Sequence, residues 1–294
     1  MECTNNANVK YCLNHSNFEK LKRVAQTLQS KYSQMQFELF DSLLAQRKDW
    51  KIFSLKNMVS DAKYESNGLR QHLFKGGMSV ELDPSKASIS SETKNEYDKM
   101  VVTMALWGRC FLLDQMFQKV FADLFEGNEK CKYAFGPVKT AERMREKAIE
   151  YRCDDGKPFP ASYSICDVNR CSIKCESLDD VYDAFKLVQQ SGAVEIVRIK
   201  NRFLPLPEFD SRDTGGYRDM LVNVLFTDSQ SGLAVIAEVQ FHLNAYEKIK
   251  HLQHKYYKIQ RAVSQMSLLQ NYEARKFDEK KEETKTDEKK DDKH

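Results

Sequence analysis

Two short stretches each set one carboxylate among apolar or small neighbours: Asp167 in ICDVN and Glu238 in VIAEVQF. An unpaired buried carboxylate is very costly, so each must meet a basic group or sit where a cation compensates it. On neighbouring strands the two could share one Mg2+, a hard ion that takes carboxylate oxygens. Two salt-bridged structural acids would leave the same trace.

Basic residues gather in the same half of the chain. After Gly136-Pro137, a favoured helix start, Lys139, Arg143 and Lys147 recur at i, i+4 and i+8, opposite an apolar face of Ala141, Met144, Ala148 and Tyr151. In VRIKNRF the alternation sends Arg198, Lys200 and Arg202 to one side of a strand. Three like charges repel, and a phosphate-bearing ligand would relieve them; a solvated face reads the same way. The loop LPLPEFDSRDTGGYRD ends in Gly215-Gly216, where backbone can approach a ligand closely, and in Tyr217, whose ring could stack on a base. A last helix carries His251, His254, Tyr257, Lys258 and Arg261 on its polar side. Cys166, Cys171 and Cys175 lack the paired spacing of a zinc site.

The elements that must position these residues follow from periodicity. Apolar residues at three- and four-residue steps predict helices over 17–50 and 97–125, so the first 130 residues read as helical. The basic helix follows to about residue 151. Then come a strand over 165–175, a helix over 178–190, a strand over 193–202, a strand pair over 216–227 and 233–242, and a helix from 245 to about 269. The predicted division is a helical region over 1–130, a mixed domain over 131–269 and a disordered tail over 270–294, where charges alternate with almost no apolar residue. Lys and Arg at 46 against Asp and Glu at 43 give +3, which names no partner. No apolar run approaches the roughly 20 residues of a bilayer span and the polar start has no signal core, so a cytoplasmic location with eight reduced cysteines is expected.

Taken in order, the helix PVKTAERMREK, the strand DVNRCSI, the helix DDVYDAF, the strand RIKNRF, the loop GGYRD, the strand EVQF and the final HKYYK resemble the synthetase domain of the RelA/SpoT family, over residues 135–262. That resemblance implies an α+β fold, a nucleotidyltransferase-like mixed β-sheet flanked by helices, here preceded by the all-helical N-terminal region. It implies an Mg2+-dependent pyrophosphokinase that moves pyrophosphate from ATP to the 3′ hydroxyl of a guanosine nucleotide. By the family's motifs Asp167 and Glu238 hold Mg2+, and Glu238 also takes the proton of the attacking hydroxyl beside Lys200. Lys139, Arg143, Lys147, Arg170 and Arg198 bind ATP phosphates. Gly216, Tyr217, Gln240, Asn201, His254 and Tyr257 face the acceptor.

Some motif positions depart from the family. Arg143 stands where the helix motif has serine, Asn201 where the strand has aspartate, Pro137 and Ser172 where clamp arginines are expected, and Arg218-Asp219-Met220 where S-x-H follows the tyrosine. Both metal-ligand carboxylates are kept, which favours a changed acceptor, such as the 3′ end of a tRNA. The alternative is a catalytically degenerate domain acting as a nucleotide- or RNA-binding regulatory module. No hydrolase signature stands in the first 130 residues, so an active chain would only synthesise. The N-terminal helices are expected to serve a homo-oligomer or a helical partner.

Overall fold

In a computed structural model the described residues are 15–59, 69–71, 90–153 and 155–261. The elements are α1 (His15–Gln46), β1 (Met58–Val59), α2 (Ser91–Tyr97), α3 (Thr103–Leu124), β2 (Cys131–Gly136), α4 (Ala141–Cys153), β3 (Arg170–Cys175), α5 (Leu178–Gln190), β4 (Glu195–Asn201), β5 (Met220–Thr227), β6 (Ala234–Leu243) and α6 (Asn244–Arg261). The chain divides into two compact units: one takes the residues up to Asp41 and from Lys248 onward, the other Ser42–Glu247. In the first, Tyr32 of α1 stacks on Tyr256 of α6 at 5.7 Å and Gln36 donates to Gln253 at 3.3 Å.

The second unit is built on a six-stranded mixed sheet in the order β1-β4-β5-β6-β3-β2. Only β3 and β6 run parallel; the other pairs are antiparallel. The registers sort its side chains by face. Val222, Val224 and Phe226 of β5, Val239 and Phe241 of β6, and Cys171 and Ile173 of β3 share one face and are buried. Phe185 of α5 meets Phe241 edge-on at 6.4 Å, and Phe117 of α3 meets Phe226 at 5.9 Å. Each such aromatic contributes about 1.5–3 kcal/mol on burial. The opposite face carries Arg198, Asn223, Glu238 and Arg170 in one row across β4-β5-β6-β3, and Lys200, Leu221, Gln240 and Ser172 in the next. Arg198, Lys200, Arg170, Glu238 and Gln240 therefore share a face because of strand parity.

The helix α5 has the predicted bounds and is capped by Ser177, whose hydroxyl accepts from the Asp180 amide while Asp180 reaches back to the Ser177 amide. Two expectations are corrected and one strand had no counterpart in the sequence pattern. The N-terminal region is not wholly helical: Met58–Val59 pairs with Arg198–Ile199 at the edge of β4. The strand β2, with exposed Lys132 and Phe135, pairs with β3 over its whole length and was hidden by that exposure. Asp167 lies before β3, since the strand begins at Arg170 after the turn Ala161–Ser164. The run Ser91–Leu124 is long and apolar enough to cross a membrane by length and composition. Its Leu106, Cys110, Leu113, Phe117 and Phe121 are buried, and Gln118 donates to the carbonyls of Gly136 and Arg170 at 3.0 Å. The expected tail over 270–294 lies outside the described residues.

Beyond the start of β3 the edge of β6 is completed by one side chain. Gln71 Nε2 donates to the Ile236 carbonyl at 2.7 Å and its Oε1 accepts the Ile236 amide at 2.8 Å, so a glutamine stands in for a peptide of a missing strand. Gln71→Leu strips both partners from buried backbone, and chemical denaturation should show a loss of about 1–3 kcal/mol.

Candidate active site

The polar face opens into a cavity of about 420 Å3 whose lining includes Lys147, Lys157, Asp167, Arg198, Lys200 and Glu238. Asp167 enters from the segment before β3. Its Oδ2 receives Lys147 of α4 at 2.9 Å and Lys139 at 3.0 Å, and the Lys139 amide donates to the Val168 carbonyl at 3.0 Å. Burial would raise the Asp167 carboxyl, but the two ammonium groups outweigh it and hold it below the ordinary carboxylate value. Lys139 is lowered, by burial first and by the charges of Lys147 and Arg170. Lys147 is raised by Asp167 against the pull of burial.

Glu238 is 9% exposed, flanked in register by Arg170 on β3 and Asn223 on β5. Burial pushes its carboxyl above the ordinary value, against the hydrogen bond from Gln240 Nε2 at 2.6 Å and helped by the charges of Asp167 and Asp219. A carboxylate tuned upward suits a proton acceptor near neutral pH. Arg198 Nε donates to Asn223 Oδ1 at 2.8 Å, and Asn223 Nδ2 is held by the carbonyls of Cys166 and Ala237. The Lys200 ammonium is lowered, by desolvation first and then by Arg198 and Arg202. Among the described residues no carboxylate pairs with Arg198, Lys200 or Lys157, so the cavity wall holds cations that an anionic ligand would neutralise.

The donor set fits Mg2+. Asp167 Oδ1 is buried without a hydrogen-bond partner, and with Glu238 it offers hard oxygen ligands. Among the described residues no cluster of three or more acidic, His or Cys groups could hold a metal alone. Mg2+ is commonly held by one or two carboxylates with substrate phosphates supplying the rest.

The remaining expected residues go elsewhere. Lys139 precedes α4, so it shares no helical stripe with Lys147; the backbone brings it to Asp167 instead. Arg143 is exposed and pairs with Glu146 on its own helix. Arg170 Nε reaches the Pro137 carbonyl at 3.4 Å. Asn201 is fully buried: its Nδ2 donates to the carbonyls of Ile52 and Leu55 at 2.8 and 2.9 Å, leaving no donor for an acceptor nucleotide. Tyr217, expected as a stacking platform, is 7% exposed; its ring lies edge-on to Tyr246 at 6.2 Å and its hydroxyl meets His242 Nδ1 at 2.5 Å. Gly216 has φ +82°, a backbone that favours glycine, and its amide closes the turn onto the Ser211 carbonyl at 2.8 Å. Gln240 bridges Glu238 and His242. His254 and Tyr257 fall on α6, and their side chains lie outside the described residues.

The sequence reading missed Lys157, Asp155 and Leu69 of the cavity. The Asp-Gly-Lys-Pro run after α4 was the available sign: Gly156 at φ +58° turns the chain and the Lys157 amide returns to the Tyr151 carbonyl at 2.9 Å. Leu69 carried no sign of its own.

No protein-family model and no curated protein matches the sequence. Among solved structures the chain is similar to small alarmone synthetase 1 from Bacillus subtilis bound to its product pppGpp, at 16% identity and TM-score 0.38, covering 65% of this chain and 98% of that one. Small alarmone synthetase 2 from Bacillus subtilis is 22% identical at TM-score 0.38, covering 60% and 96%. A GTP pyrophosphokinase family protein from Streptococcus pneumoniae is 17% identical at TM-score 0.37, covering 68% and 95%. At such low identity and overlap these likenesses carry no weight in the site chemistry, which stands on the side chains of the cavity.

Asp167→Asn leaves Lys139 and Lys147 facing each other without a counter-charge, and at pH 7 should cost about 1–3 kcal/mol of stability. The folded carboxyl is lowered, so its contribution is present above the unfolded value of about 3.9 and is lost as pH falls through the folded one. Denaturation midpoints of wild type and variant should therefore converge in strong acid.

Proposed function

We propose that the chain is an Mg2+-dependent pyrophosphotransferase that moves pyrophosphate from ATP to the 3′ hydroxyl of a nucleotide, working only in the direction of synthesis. The observation that carries this is the wall shared by two carboxylates, Asp167 and Glu238, and by Arg198, Lys200 and Lys157, cations that meet no carboxylate partner among the described residues. The order of the sequence motifs supports the same reaction. Positioning and electrostatics do nearly all the work in phosphoryl transfer, and this wall supplies both.

In this reading Glu238 accepts the proton of the acceptor's 3′ hydroxyl. The oxygen bonds to the β-phosphorus of ATP, the bond from that phosphorus to the α,β-bridging oxygen breaks, and AMP leaves. Arg198, Lys200 and Lys147 hold the phosphate oxygens as charge shifts toward the leaving group. Mg2+, held by Asp167 and Glu238, would neutralise phosphate charge and orient the β-phosphorus. The guanosine nucleotide rests on the motif order alone, with the 3′ end of a tRNA as second acceptor, because Tyr217 and Asn201 do structural work. That same burial of Tyr217 favours a second reading, a nucleotide- or RNA-binding module without turnover.

Incubation with Mg2+, γ-labelled ATP and, in separate tubes, GDP, GTP and bulk tRNA should yield one labelled acceptor and AMP. Glu238→Gln should lower turnover by at least about 100-fold with an unchanged melting curve, as loss of a positioned base does, and EDTA should stop the wild type. Silence in every tube with ATP still raising the melting temperature selects the module.

A further inference from the structure

The strand β6 carries more than Glu238 on its polar face. At two-residue steps Glu238, Gln240 and His242 project to the same side, and they are joined in one chain: Gln240 Nε2 donates to Glu238 Oε1 at 2.6 Å, His242 Nε2 lies 3.2 Å from Gln240 Oε1, and His242 Nδ1 meets the Tyr217 hydroxyl at 2.5 Å. His242 is 3% exposed, with Asp219 Oδ2 4.0 Å from Nδ1 and Lys174 beside it in register on β3. Asp219 is itself tied to Arg202.

The direction of this chain follows from donor and acceptor inventory. An ionised Glu238 only accepts, so Gln240 must turn its amide nitrogen toward it. Its oxygen then faces His242, which must carry a proton on Nε2 in either charge state. Without that donor the Gln240 amide is free to flip, and a flipped amide sets its oxygen against the carboxylate. The anchor at the far end, Tyr217, is the residue whose burial removes it from base stacking. From this geometry we propose that His242 is a positioning residue: through Gln240 it holds Glu238 Oε1 and leaves the second carboxylate oxygen for the cavity. Groups hydrogen-bonded behind a reacting group orient metal ligands and general bases in this way, and here Gln240 relays the contact from His242. The inference rests on the reading of Glu238 as proton acceptor.

The test is steady-state AMP release by wild type, His242→Phe, His242→Gln, Gln240→Leu and the His242→Phe/Gln240→Leu double variant, each checked for a cooperative melt. Phe keeps the ring volume without the N–H; Gln sets an amide donor near the place of Nε2. His242→Phe should lower kcat by about tenfold or more with KM for ATP within about twofold, the pattern of a misplaced catalytic group. His242→Gln should recover most of it, and the double variant should be no slower than Gln240→Leu alone. A folded His242→Phe with wild-type kcat, or His242→Phe and His242→Gln equally impaired, overturns the role. Should His242→Phe not fold, Gln240→Leu at its half-buried position decides: a tenfold fall in kcat supports the chain, and an unchanged kcat overturns it. A wild type that releases no AMP overturns the transferase reading and this role with it, a result distinct from an active wild type with an indifferent His242.

Discussion

The structure turns on β6, a strand that is central in the sheet and buried on both faces. Its odd-numbered residues, Val239 and Phe241, meet the helical layer, and its even-numbered residues, Glu238, Gln240 and His242, meet polar partners. A carboxylate at such a position demands hydrogen-bond donors and cations around it to offset the cost of its burial. The surrounding arrangement follows from that demand. Gln240 occupies one oxygen of Glu238, the Asn223 beside it is locked by Arg198 and two carbonyls, and the row continues to Arg170 on β3.

The same demand explains why cations collect without cancelling. Asp167 takes two lysines on a single oxygen and leaves the other buried and unanswered, while Arg198 and Lys200 line the cavity and meet no carboxylate partner among the described residues. A wall with both uncompensated cations and an unanswered carboxylate oxygen is a poor structural solution by itself. It is a good one for a polyphosphate carrying a divalent ion, where each defect meets its complement. Residues that sequence order would assign to substrate serve the frame instead: Asn201 ties β4 to the Ile52–Leu55 turn, and Tyr217 packs against Tyr246.

Much of this was legible in one dimension. Helix α5 was readable to the residue, because a capping box and a regular apolar stripe coincide there. The parity of VRIKNRF and VIAEVQF placed Arg198, Lys200 and Glu238 on strand faces, and only the register could show that those faces are one. The edge strands β1 and β2 were illegible, because an edge needs neither an apolar run nor clean alternation; Phe135 is exposed and β1 is two residues long. Lys139 was placed on a helix by its spacing, whereas the backbone bond to Val168 decides its position.

By itself the sequence determined the chemistry on offer: isolated carboxylates in apolar stretches, cations at strand and helix periods, a glycine turn before a tyrosine. These are local properties, set by side-chain type and by the two- and 3.6-residue periods of the backbone. Only the tertiary structure decided which of them meet. Burial of Tyr217 and Asn201, the convergence of Lys139 and Lys147 on Asp167, and the anchoring of His242 on Tyr217 all depend on contacts between segments far apart in sequence. Spacing along one segment carries no information about the neighbour that will answer a buried polar group.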